Sequence, residues 1–363
     1  MKTALRDFCI FSALIFALSH TYEIIYHSSE ALKLCATAVI PSLFIFIVMS
    51  KLLTHTHFCR YRSGRTSLFI SRLFNLPPSV IHISLLGLIC GAPSGAIGIC
   101  NLYSSGLCSK QEAERALILS NNCSAAFIMS IAASVLNSKP GAVIILISNI
   151  IATISVYLLL FRDKNGKLTE LQQSNQINKN FSDMITESIS SSANTVINLC
   201  GYVIFFYCFS AIISEAARIG SIKMTNNASL AYFVKSAVSS LFEMTTGVVT
   251  SASLKGNVRM LMIAGAIAFC GISVIFQVIS IASKHNLSVC NFVLSKIICA
   301  FLSPLITLFL LFIIPKEVSV MNSYTLKTNG GFSVNDLISL IFVTSIFFVA
   351  VHLLAYLDKK HKN

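Results

Sequence analysis

Gly91-Ala92-Pro93-Ser94-Gly95-Ala96 interrupts an apolar segment whose flanks, Ile81 to Ile89 and Ile97 to Cys100, read as membrane helix. Two glycines and a proline in six residues break a helix. Broken backbone in lipid is tolerated only where it is buried in protein or lines a wet cavity. A transporter places its substrate at such a break; a proline kink used for packing is the structural alternative. A second interruption, Glu243-Met244-Thr245-Thr246-Gly247, lies in the other half of the chain. The unpaired N–H groups of a half-helix N-terminus, together with its dipole, attract an anion or a carbonyl. Gly91 and Gly95 would let a ligand approach the backbone, and Ser94 adds a hydroxyl next to Pro93. Thr245 and Thr246 offer hydroxyls, and Gly247 offers access. Asn121, Asn122, Ser124, Ser273 and Gln277 add amides and hydroxyls at similar depth. Together these groups suit a small planar polar solute held by hydrogen bonds.

Glu243 is the least expected residue in this set. A carboxylate in a bilayer costs several kcal/mol unless it is paired or neutralised. It could bind a proton or sodium ion that drives transport, or it could accept hydrogen bonds from the substrate. The structural alternative is a pair with Lys235 or with backbone donors. For Asn121 and Asn122, hydrogen bonding between helices competes equally with substrate contact. Gln277 taken alone reads as structural. No nucleotide-binding loop, zinc-protease motif or nucleophile elbow is present. No nucleophile stands near a base, which argues against an enzyme. The twelve cysteines include no Cys-x-x-Cys pair and no cluster with His at metal spacing. No metal or other cofactor is expected beyond the coupling ion at Glu243.

The elements that must position these groups are membrane helices. Soluble domains carry about 25% charged residues. This chain of 363 residues is 11% charged and 55% hydrophobic, with a mean hydropathy of +0.77. It reads as an all-α polytopic protein of the cell membrane, with the lipid bilayer as its main partner. The formal charge of +13 is gathered in three places. Arg60, Arg62, Arg65 and Arg72 share one loop; Arg162, Lys164, Lys167 and Lys179 share another; Lys359, Lys360 and Lys362 end the chain. This is the positive-inside pattern and not a nucleic-acid surface.

Windows of about 20 apolar residues place spans at 8–25, 34–53, 115–136, 140–161, 196–214, 258–283, 290–314 and 334–357. Phe8 to Leu18 follows Lys2 and Arg6 as in a signal peptide, but an uncleaved first helix is preferred. Ser109 and Glu112 form a capping box ahead of 115–136. From Phe181, Met184, Ile185 and Ile189 recur at helical spacing, as in an amphipathic surface helix. Three regions follow: 1–161, a cytoplasmic linker and amphipathic helix at 162–195, and 196–363. Keeping all three basic regions on one side requires 79–106 and 228–250 to be re-entrant. The expected architecture is therefore about eight transmembrane helices and two re-entrant hairpins. Residues 41–53 resemble 201–213, and Gly95 falls opposite Gly247 when the halves are aligned. Related halves of opposite orientation form an inverted repeat, an arrangement common in secondary transporters.

Five motifs in order resemble the sporulation integral membrane protein YlbJ (SpoVV) family. They are Pro41-Ser42-Leu43-Phe44, Gly91-x-Pro93-x-Gly95-Ala96, Glu112 leading to Asn121-Asn122-x-Ser124, Leu241 to Gly247, and Gly271-Ile272-Ser273-Val274 leading to Gln277. The family lies within the nucleoside-recognition, or gate-domain, membrane proteins, which are similar to concentrative nucleoside transporters. The resemblance implies a carrier of dipicolinic acid across the outer forespore membrane during endospore formation. It further implies partners among other sporulation membrane proteins, or a homo-oligomer. A non-transporting scaffold of a sporulation complex and a nucleoside carrier are the alternatives. Two positions depart from the family pattern. Ile97 stands where a basic residue is usual, and Ala125 stands where proline is usual.

Overall fold

The computed structural model describes residues 2–55, 65–161 and 181–313. The expected span at 334–357, the basic linker at 162–180, the lysine tail, Arg60 and Arg62 lie outside these. Among the described residues every regular element is helical.

The chain opens with α1 (Lys2–Ser19) and α2 (Thr21–Leu34), which part at His20. A π turn, Cys35–Val39, joins α2 to α3 (Ile40–His55). The expected spans at 8–25 and 34–53 therefore have different limits. Residues 26–30, between those spans, are helical and lie against the long neighbouring helix. Ser28 Oγ meets Cys208 Sγ at 3.2 Å, and the His27 ring packs 6.3 Å from Tyr207. Pro41 follows the π turn; its missing N–H interrupts the helical ladder there.

After α4 (Arg65–Phe74), α5 (Pro78–Cys90) and α6 (Ser94–Ser104) fold back on each other. Thirteen and eleven residues reach roughly 20 and 17 Å at 1.5 Å per residue. Neither would cross a hydrocarbon core of about 30 Å alone. Next comes α7 (Lys110–Ser120), entered by the Ser109–Glu112 capping box. A break at 121–124 leads to α8 (Ala125–Phe127), a π turn (Ile128–Ala132) and α9 (Ala133–Leu136). Then α10 (Lys139–Phe161) runs unbroken.

The second half begins with α11 (Phe181–Thr225), 45 residues in one helix. It takes in both the expected amphipathic helix and the span at 196–214, with no break at 195–196. Its length of roughly 68 Å is about twice a bilayer core. The short α12 (Ala228–Phe242) and α13 (Met244–Thr250) again fold back on each other. α14 (Gly256–Phe269) and α15 (Gly271–Ser283) follow, then α16 (Cys290–Ile313). The expected continuous spans at 115–136 and 258–283 are thus both interrupted, at Asn121–Ser124 and at Cys270. Cys270 adopts φ +69°, a left-handed conformation that ends α14.

α11 packs along α2, α3 and α12, while α16 packs along α10 and α14. Among the described residues, five stretches are long and apolar enough to cross a membrane: 110–136, 139–161, 181–225, 256–283 and 290–313. Large apolar side chains such as Leu159 and Phe312 face outward, as lipid contact requires.

Small residues set how closely the folded-back helices approach. A Cβ on Gly95 would lie 1.8 Å from the Ser120 carbonyl oxygen, and one on Gly87 would lie 2.3 Å from it. A Cβ on Gly247 would lie 2.5 Å from Ser240 Cα. Gly220, within α11, has open space instead. Gly95→Ala should therefore destabilise the detergent-solubilised protein by roughly 1–3 kcal/mol through overpacking. Gly220→Ala should stabilise it by about 0.5–1 kcal/mol. Thermal unfolding followed by circular dichroism measures both; equal midpoints for Gly95→Ala and the parent would rule out the tight α6–α7 contact.

Candidate functional site

The breaks meet in pairs. In the first half, the tip of the α5–α6 hairpin is Gly91-Ala92-Pro93, with Gly91 at φ +84°. The Ala92 N–H donates to the Asn122 carbonyl at 2.7 Å, across to the break between α7 and α8. The Ala96 N–H donates to Asn121 Oδ1 at 2.9 Å, and Ser94 Oγ donates to the Gly91 carbonyl at 2.7 Å. Ser124 caps α8 by accepting from the Phe127 N–H at 3.2 Å. A Cβ on Gly91 would lie 2.6 Å from Ser124 N, so tip and break are in contact.

In the second half, Glu243 joins α12 to α13 in an extended conformation. Its Oε2 accepts from the Thr246 N–H at 2.7 Å and from Thr246 Oγ1 at 2.9 Å. Glu243 is 2% exposed. Its partners are the donors of its own helix; Lys235 pairs instead with Glu215 at 2.7 Å. A Cβ on Gly271 would lie 2.9 Å from Met244 N, so this tip rests on the break between α14 and α15.

Asn122 ties the arrangement together. Its Oδ1 accepts from Thr153 Oγ1 of α10 at 2.9 Å and from Lys296 Nζ of α16 at 2.8 Å. Its Nδ2 donates to the Leu119 carbonyl at 2.9 Å. Lys296 is 1% exposed and its Nζ stands 5.7 Å from the centre of the Phe292 ring. Lys296 is not among the site residues expected from sequence. Its signal is a lone basic residue inside the apolar stretch 290–313, which by default marks a functional position.

A cavity of about 50 Å³ lies where the breaks converge. Asn122, Ser124, Glu243, Thr245 and Gln277 line it, and α3 and α11 close it with Leu43 and Val203. That space holds water but no organic ring. A larger open chamber of about 950 Å³ adjoins it through Leu199 and Gln277, which line both. Pro93 and Ile97 line the larger chamber. Gly91, Gly95 and Gly247 are covered by protein, and so give no approach to a ligand. Ser94, Asn121 and Thr246 spend hydrogen bonds within the breaks. Ser273 accepts from Gln277 Nε2 at 3.4 Å. The N–H groups of Ala96 and Thr246, expected to face an anion, have protein acceptors. Among the described residues no group of three or more His, Cys, Asp or Glu side chains could hold a metal.

Five membrane-length apolar stretches among the described residues, with interrupted helices packed among them, define a polytopic helical membrane protein. The chain is similar to the sporulation integral membrane protein YlbJ of Bacillus subtilis (strain 168), at 20% identity, with 77% of this chain and 76% of that protein covered. This is the family that the sequence motifs resemble. No protein-family model matches the chain, and no solved structure matches it.

The Asn122–Lys296 contact can be weighed by a double-mutant cycle. Asn122→Ala leaves a buried amine without its acceptor and should cost about 2–3 kcal/mol. Lys296→Met removes the amine as well, so the double variant should recover more than half of that loss. Thermal unfolding in detergent reads the cycle; strictly additive effects would show that the contact carries no energy.

Proposed function

We propose that this protein is a secondary transporter of a small planar anion. Dipicolinic acid, moved across the outer forespore membrane during endospore formation, is the substrate that the family resemblance implies. The B. subtilis relative, a sporulation integral membrane protein, supports a membrane role in sporulation. The observation that carries the transport reading is the convergence of four helix interruptions on one small cavity, largely apolar but reached by Asn122, Ser124, Glu243, Thr245 and Gln277. A scaffold has no use for non-helical backbone at membrane depth, whereas a carrier needs it.

The two halves support an inverted repeat. Each has a hairpin of short helices whose tip rests on the break of the following interrupted helix. Gly91 meets Ser124 in the first half, and Met244 meets Gly271 in the second. Gly95 and Gly247 lie four residues after Gly91 and Glu243, and each abuts a serine, Ser120 of α7 and Ser240 of α12 respectively. In this reading the hairpins dip into the bilayer from opposite sides. The present cavity is too small for a pyridine ring with two carboxylates, so it corresponds to an occluded state. Separation of α3 and α11 from the hairpin tips would open it. Lys296, behind Asn122, supplies the basic group that draws a carboxylate inward. Glu243 binds the coupling proton or sodium ion, and uptake follows that ion's gradient.

Purified protein in liposomes tests this directly. Labelled dipicolinate should accumulate under an imposed proton or sodium gradient and should not be displaced by uridine. Glu243→Gln keeps an acceptor oxygen for the Thr246 N–H, so it should insert normally. Its gradient-driven uptake should nevertheless fall at least about tenfold, because the ion-binding carboxylate is gone. Displacement by uridine would favour a nucleoside carrier, and absence of any uptake would favour the scaffold.

A further inference from the structure

Two buried oxygen atoms on neighbouring helices have no hydrogen-bond partner among the described residues. Asn149 Oδ1 belongs to α10, on a residue 2% exposed; Ser303 Oγ belongs to α16, on a residue fully buried. The two helices pack along each other and run antiparallel: Phe161 shares one core cluster with Phe292, and Ala152 shares another with Cys299. The side chains of Thr153 and Cys299 meet. Asn149 lies one turn before Thr153, and Ser303 lies one turn after Cys299. The next rung of the seam therefore sets Asn149 opposite Ser303. Pro304, inside α16, offers no N–H to the Ala300 carbonyl at the same level. α14 approaches that carbonyl with Gly265, on which a Cβ would lie 3.2 Å from the oxygen.

Buried polar atoms pair with protein, with water or with an ion. The neighbouring hydroxyls do not supply the donor that this rung needs. Thr153 Oγ1 donates to Asn122 Oδ1 at 2.9 Å, and Ser148 Oγ donates to the Ile144 carbonyl at 2.8 Å. Thr307 Oγ1 donates to the Ser303 carbonyl at 2.9 Å. The partner must therefore donate to the Asn149 oxygen and be small enough to sit between packed helices. Lys296 lies seven residues before Ser303 on α16, roughly 10 Å along the axis. Its charge disfavours a second cation there. An anion is disfavoured by the acceptor oxygens themselves. Water carries no charge and offers two donors and two lone pairs, so it suits both atoms.

We propose that an ordered water molecule occupies the α10–α16 seam and bridges Asn149 Oδ1 to Ser303 Oγ. It supplies the donor that this rung lacks, and it joins two helices whose polar groups do not bond directly. It also extends the network of Asn122, Thr153 and Lys296 by one helical turn. Thr153 links the two, because its Oγ1 lies 2.9 Å from the Asn149 carbonyl oxygen as well. No residue of α10 or α16 lines the inner cavity or the larger chamber, so this site is separate from both. It stands whether or not the chain carries a solute.

The full chain in lipid nanodiscs is exposed to an X-ray pulse, and cysteine oxidation is read by mass spectrometry. Hydroxyl radicals made from bound water oxidise side chains beside it, even where bulk solvent does not reach. Cys299, one turn from Ser303, and Cys100, in the main core cluster, are each 1% exposed, so chemistry and burial are matched. Cys299 should be oxidised at least about fivefold faster than Cys100. Ser303→Ala should bring the Cys299 rate down toward that of Cys100 and leave Cys100 unchanged. Thermal unfolding of Ser303→Ala gives a second readout, whose sign decides. Deleting a hydroxyl that bonds to bound water lowers the midpoint, by about 2 °C; deleting an unpartnered one raises it. Equal oxidation of the two cysteines in the parent, or a raised midpoint in Ser303→Ala, would overturn the proposal. A midpoint that climbs saturably in sodium over potassium chloride, and loses that response in Ser303→Ala, would assign the site to an ion and overturn it too. The cysteine comparison uses the parent chain, so it decides even where the variant does not fold.

Discussion

Backbone that leaves the helix inside a membrane must find its hydrogen-bond partners within the protein. This constraint explains why the interruptions occur in contacting pairs. The Ala92 N–H, freed at one hairpin tip, finds the Asn122 carbonyl, itself freed by the break in the next helix. The Ala96 N–H finds the Asn121 side chain. Ser124 and Glu243 cap the helices that restart after their own breaks. A lone break would leave several such groups in lipid, each costing several kcal/mol. In the first half the two breaks in contact satisfy part of each other; in the second, Glu243 serves its own helix.

Contact at this range demands small residues. Gly87 and Gly95 let two helices and the Ser120 backbone come together, and Gly247 does the same against Ser240. Small side chains at helix contacts are a general device of membrane proteins, because lipid offers no hydrophobic drive toward association. The two halves share this construction but differ in chemistry. Amide side chains close the first half, through Asn121 and Asn122. A carboxyl group and a threonine close the second. Chemical asymmetry within a similar frame gives the shared cavity amide and hydroxyl groups on one side and a carboxyl on the other.

The breaks at 91–96 and 243–247 are legible in sequence because their causes are local. Glycine, proline and a glutamate stand out against apolar neighbours. The breaks at 121–124 and 270 have less local cause. Asparagine does not by itself end a helix; Asn121 ends α7 while its side chain serves Ala96, 25 residues earlier. Cys270 takes a left-handed conformation beside Gly271, and only the packing of Met244 against that glycine reveals the need. The change from polar to apolar near residue 196 marks a change of environment along α11, not a helix end. Lys296 was readable as a lone basic residue in an apolar span. What no pattern of spacing carries is its partner, Asn122, 174 residues away.

Charge around the larger chamber follows the same logic of distant partners. Ile97 departs from the basic residue that the family resemblance implies, and it lines the larger chamber. Positive charge is nonetheless present in that chamber, carried by Lys51 and Lys284 on two elements far apart in sequence. A cation at position 97 would move with one hairpin. Two lysines on α3 and α15 change their spacing whenever those elements move relative to each other. The placement of positive charge on two separate elements therefore ties the field inside the chamber to the relative position of α3 and α15.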